Sequence, residues 1–138
     1  MTARSIIRTL GYAGLIPFII PAVLVVTNSD YSDFAIEVSA IYAFGIICFL
    51  TGSWWGMSSL NDNRALIVLS NVYFLTAFLL LFFAPLWWSF AASVLLISIF
   101  ALEQKKSLFP PLPDFYHKMR TILTLFSSAS MLLIHIAR

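Results

Sequence analysis

Four stretches without a single charged residue run from Thr9 to Ser29, Val38 to Asn61, Ala65 to Leu102 and Thr121 to Ala137, and they take up 100 of 138 residues. No water-soluble domain can coat itself with what remains. The whole chain is 61% apolar and only 10% charged, against about 45–50% and about 25% in soluble domains. Disorder is excluded by the same apolar content. Eight Lys and Arg against six Asp and Glu make no basic field for nucleic acid. The chain reads as an all-α integral membrane protein whose first solvent partner is the lipid bilayer.

The run lengths set the number of crossings. A helix needs about 20 apolar residues to cross about 30 Å of hydrocarbon. The first two runs, of 21 and 24 residues, are therefore one span each. The last has 17 residues, and Lys118, Arg120 and Arg138 can extend it by snorkelling to the interface. The third has 38 residues; as one straight helix it would reach about 57 Å. Its middle, Phe82-Phe83-Ala84-Pro85-Leu86-Trp87-Trp88, places a proline among paired aromatics, as suits a turn at the interface. The expected spans are 9–27, 35–57, 65–83, 87–103 and 119–137, in one domain.

Charge placement agrees with five spans. With the N-terminus in the cytoplasm and the C-terminus outside, Arg4, Arg8, Arg64, Lys105, Lys106, Lys118 and Arg120 lie inside and only Arg138 outside. Merging spans three and four would destroy this bias. The first span reads as a retained helix rather than a cleaved signal, since it exceeds an h-region of about 7–15 residues and no small-x-small site follows. The inner connection from Glu103 to Lys118, with Pro110, Pro111 and Pro113, is expected to be stiff and to lie along the anionic leaflet.

Within the spans, small and polar residues fall into patterns. Gly11 and Gly14 share a face of span one, and Pro17 and Pro21 are candidate hinge positions because each removes a helix hydrogen bond. Gly45, Gly52 and Gly56 form one stripe on span two, expected to pack mainly on span one of the same chain, with a second subunit as the other possible partner. Asn71 in span three is expected to bond to a neighbouring helix; a substrate contact is the other reading. Thr121, Thr124, Ser128 and His135 line one face of span five, widened by Ser127 and Ser130. That face should turn to the bundle interior, either as packing with hydroxyls bonded to the preceding turn or as a polar path.

Chemistry is scarce. Cys48 is the only cysteine, so neither an internal disulfide nor a cysteine metal cluster is available. His117 and His135 are separated by about 27 Å along a helix and cannot hold one haem or metal together. His135 could meet Asp30, Asp33 and Glu37 at the outer face, where the plain reading is a solvated acidic rim. No charged residue falls at the expected midplane of a span, where coupled transporters keep one. No HExxH, GxSxG or P-loop is present. No catalytic residue, cofactor or metal is expected.

Three segments together resemble a family. Leu10-Gly11-Tyr12-Ala13-Gly14-Leu15-Ile16-Pro17-Phe18, Phe49-Leu50-Thr51-Gly52-Ser53-Trp54-Trp55-Gly56 and Tyr116-His117-Lys118-Met119-Arg120-Thr121-Ile122-Leu123-Thr124 resemble the motifs of a bacterial membrane family of unknown function, domain of unknown function 3429, to which the mitochondrial transmembrane protein 69 of animals is similar. Where that family often has His before Trp-Gly, this chain has Trp54. The resemblance implies a multi-span inner-membrane protein and brings no activity with it. The reading that follows is a non-enzymatic accessory, assembly or scaffolding protein of the bacterial inner membrane, acting through helix contacts with a protein partner or with itself. The alternative is a carrier or channel for a small neutral or lipophilic solute.

Overall fold

The computed structural model describes residues 2–105, 108–109 and 112–138. Its elements are helices α1 (Ala3–Ala13), α2 (Ile16–Val26), α3 (Ser32–Asn61) and α4 (Arg64–Phe83), a single 3-10 turn (Pro85–Trp87), α5 (Trp88–Glu103) and α6 (Asp114–Ala137). Together α1 and α2 make the first of five segments long and apolar enough to cross a membrane. The division at Pro85 between the third and fourth segments stands where the aromatic-proline turn predicted it. Observed helices run past the expected spans mainly at polar ends, because helices continue into the headgroup region where chain ends can meet water. Of the stiff inner connection, Lys106, Pro110 and Pro111 lie outside the described residues.

Local chemistry explains each break. Pro17 has no N–H for the Ala13 carbonyl, and its ring crowds that carbonyl. The chain answers with a turn at Gly14–Leu15, and α2 restarts with Pro17 in its first turn. Pro21 lies inside α2, where the N–H it lacks would have met Pro17. The break frees the Gly14 carbonyl, which accepts the Tyr42 hydroxyl of α3 at 2.9 Å. At the far ends of α2 and α3, Asn28 (φ 52°) and Asp62 (φ 49°) take the left-handed conformation that short polar side chains tolerate. The Ser29 amide then closes on the Leu24 carbonyl at 3.0 Å and the Asn63 amide on that of Ser58 at 3.2 Å. The Asn63 side chain caps α4 by accepting from the Leu66 amide.

The helices close a ring: α2 packs on α3, α3 on α4, α4 on α5, α5 on α6, and α6 returns to α2. Ala43, Ile47, Ala92, Ile99, Met131 and Ile134 fill the centre with no exposed surface. Outward, Ile20, Phe49, Val72, Phe82, Ile97 and Leu125 are exposed, the surface of a molecule dissolved in hydrocarbon. Arg4, Arg8, Arg64, Lys105, Lys118 and Arg120 belong to one end of the bundle, hereafter the basic end. Asp30, Asp33, Glu37 and Arg138 belong to the other, the acidic end. Tyr42→Phe should lower stability by about 0.5–1.5 kcal/mol, the net value of one hydrogen bond, without changing helix content; a melt followed by circular dichroism in detergent measures it.

Candidate functional site

At the basic end a carboxylate and a guanidinium are buried together. The Glu103 side chain, last in α5, accepts from Arg120 Nε at 3.1 Å, and the two side chains are only 10% and 8% exposed. The other Glu103 oxygen accepts the Trp54 indole N–H of α3 at 3.3 Å. Trp54 is fully buried. It meets the rings of Tyr73 and Phe109 edge-on at 5.5 and 5.4 Å between centroids. Tyr73 of α4 is hydrogen-bonded to Ser98 of α5. Phe109, from the connection before α6, is held by the Asn63 amide donating to the neighbouring Leu108 carbonyl at 2.9 Å. One carboxylate thus ties α3, α5 and α6, and Phe109 packs on the Trp54 ring that it holds.

This latch corrects an expectation. Arg120 does not snorkel outward; it lies about 9 Å below the start of α6 and turns to Glu103. It is the only ion pair among the described residues. Arg120 Nη2 is buried with no partner, so the guanidinium keeps donors beyond those the carboxylate uses. The signal in the sequence was an acid at the end of one span and a base at the start of the next, which charge counting treats as two surface residues.

The glycines divide. A Cβ on Gly11 would come within 2.6 Å of Met119 Sδ on α6, so Gly11 is a true contact, and Gly14 lies against Tyr42. Gly45, Gly52 and Gly56 have open space where a Cβ would be. The expected packing of that stripe on span one is therefore corrected: it faces outward. Ser39, Ala43, Ile47, Leu50, Trp54 and Ser58 take the inward face of α3 instead, because buried serines pack as closely as glycines once their hydroxyls bond to their own helix. Beside the stripe, a groove of about 210 Å³ between α3 and α4 is lined by Cys48, Thr51, Gly52, Trp55, Ser70, Asn71 and Phe74.

Asn71 and Thr121 are corrected too. Both are exposed. Asn71 donates to the Ile67 carbonyl of its own helix at 2.9 Å, and Thr121 to that of His117 at 2.9 Å. Thr124, Ser127, Ser128 and Ser130 are buried. The three serine hydroxyls return to the preceding turn, and α5 joins this face through Ser93 donating to the Ser128 carbonyl at 2.9 Å. His135 lies against the rings of Trp87 and Phe90 at 5.3 and 5.7 Å, with Nδ1 buried and unpaired. It does not join the outer acids: among the described residues, no three His, Cys, Asp or Glu groups are placed to hold a metal.

At the basic end, Arg4 and Arg8 both face the Phe115 ring, at 4.6 and 5.9 Å, pinning α1 to α6. At the acidic end, Asp33 and Glu37 stand with Arg138 around a cavity of about 690 Å³.

A bundle of five membrane-crossing segments with an apolar exterior, a filled centre and a buried ion pair near its end is a multi-pass α-helical membrane protein. The chain belongs to the family described as Protein of unknown function (DUF3429), which it matches over residues 3–136. It is also 32% identical over 128 residues to a protein of Xenopus tropicalis, Transmembrane protein 69. That alignment covers 88% of this chain and 50% of the frog protein, so the chain spans about half the length of that relative. No solved structure matches it.

Proposed function

We propose that this chain is a non-enzymatic accessory or scaffolding protein of the bacterial inner membrane that offers the outer face of α3 to another transmembrane helix. The observation that carries this reading is the unpartnered stripe of Gly45, Gly52 and Gly56 with the exposed Asn71 amide across the adjoining groove. Glycines let a second backbone come close, and an amide facing hydrocarbon gains about 0.6–2 kcal/mol from an interhelical bond. The packed interior supports the same reading. The polar groups that a carrier would need do not converge, since Asn71 and Thr121 face outward and the buried serine hydroxyls of α6 are spent on their own helix.

Gly52→Leu should abolish co-purification of the partner, or self-association, while leaving the melting temperature of the isolated chain nearly unchanged, because the new side chain enters open space. Association unaffected by Gly52→Leu and by Gly56→Leu would remove the basis of the proposal.

The orientation belongs to the same proposal. The described bases of the basic end outnumber the single Arg138 at the other, which supports a cytoplasmic basic end. Reporters fused at Leu60 and Leu112 should read as cytoplasmic and one at Pro85 as external. A Pro85 reporter on the same side as Leu112 contradicts it.

A further inference from the structure

The cavity at the acidic end is independent of the α3 glycine face and of the latch. All five membrane-crossing segments contribute to it, so it is a funnel mouth on the bundle rather than a crease between two helices. Its volume of about 690 Å³ lies within the range of small-molecule sites, about 300–1,000 Å³. Asp33 and Glu37, one helical turn apart on α3, stand on its rim, with Arg138 from the end of α6. Ala40 and Ile41, deeper on α3, and Leu81 of α4 supply apolar wall, and Ser89 is buried at its side. The funnel opens at the level of the exposed Trp87, where tryptophan marks the boundary between headgroups and hydrocarbon.

We propose that this funnel binds a phospholipid whose headgroup carries a primary ammonium, phosphatidylethanolamine. Two carboxylates and one guanidinium call for a ligand with both signs of charge. The ammonium donates to Asp33 and Glu37, whose exposed carboxylates need no rearrangement to accept, and the phosphate takes the Arg138 fork. The apolar wall receives the upper part of an acyl chain. The same chemistry disfavours two abundant alternatives. A quaternary choline ammonium has no N–H to donate, and an anionic glycerol headgroup meets two negative charges with only one positive. Neither the acids nor the cavity would specify this ligand alone; the opposite charge of Arg138 at the same apolar-walled mouth selects it.

The test uses the full chain in detergent with dioctanoyl phosphatidylethanolamine, phosphatidylcholine and phosphatidylglycerol, each titrated while the melting temperature is followed. Phosphatidylethanolamine should bind about tenfold or more tightly than the other two, the discrimination of one or two charge-assisted bonds. The double substitution Asp33→Asn with Glu37→Gln should erase the preference, as should Arg138→Gln. These residues are exposed and their replacement leaves the fold intact. Equal binding of the three lipids, a preference surviving in both variants, or free phosphoethanolamine binding as tightly as the lipid would each overturn the proposal.

Discussion

Glu103→Gln and Arg120→Leu should each destabilise the protein by about 3–5 kcal/mol, the cost of leaving one buried charge without its partner. The pair is removed from solvent, and the Trp54 indole that Glu103 holds packs against the rings of Tyr73 and Phe109, so a charge left alone there has little water to turn to. Glu103→Gln keeps an acceptor for the Trp54 indole but loses the charge; Arg120→Leu keeps volume but strands the carboxylate. The double variant should recover much of the loss, because the desolvation penalty vanishes with both charges. Unfolding in detergent with increasing denaturing surfactant measures all three. Single variants each within about 1 kcal/mol of the parent would show that the latch contributes little to stability and that both groups find water.

Trp88→Ala should cost about 3–5 kcal/mol, the usual range for removing a buried aromatic ring, while Trp87→Ala should change stability by less than about 1 kcal/mol. The neighbours differ only in direction. Trp88 is 1% exposed and Trp87 is 62% exposed. Trp88 donates its indole N–H to the Ala40 carbonyl of α3 at 3.0 Å and lies edge-on to Phe44 at 6.4 Å. Its loss would open a cavity and release α5 from α3. Trp87 rests on His135 at the surface, where the bilayer interface solvates it. Trp88→Phe should fall between the two, keeping ring volume and losing the bond. The same surfactant titration checks the ordering, and near-equal losses for Trp87→Ala and Trp88→Ala would contradict it.

The two tryptophans show how far a sequence of this kind can be read. Trp87 and Trp88 together marked an interfacial turn, correctly as to place. Their common label concealed that one is a core residue, since the 3-10 turn that rotates them apart depends on Ala84 and Pro85 and on what α5 then meets. Gly45, Gly52 and Gly56 show the same limit. Their spacing defined a face, yet spacing does not say whether a face turns in or out. In a soluble protein a missing polar stripe would answer that, but in hydrocarbon the lipid-facing and protein-facing sides of α3 are both apolar, and the periodicity signal fades. Arg120 was misplaced because its distance from Glu103 along the chain passes through a connection whose path no local rule fixes.

The sequence by itself determined the solvent, the number of segments long and apolar enough to cross a bilayer and the division at Pro85, because these follow from one-dimensional quantities: the length of an uncharged run against the thickness of a bilayer, and the backbone limits of proline. The tertiary structure alone decided which faces meet, that Glu103 and Arg120 are one buried pair, and that Asp33, Glu37 and Arg138 surround a single funnel. Those outcomes depend on the rotation of each helix about its axis, which is settled by the mutual packing of all five spans at once and is written in no single segment.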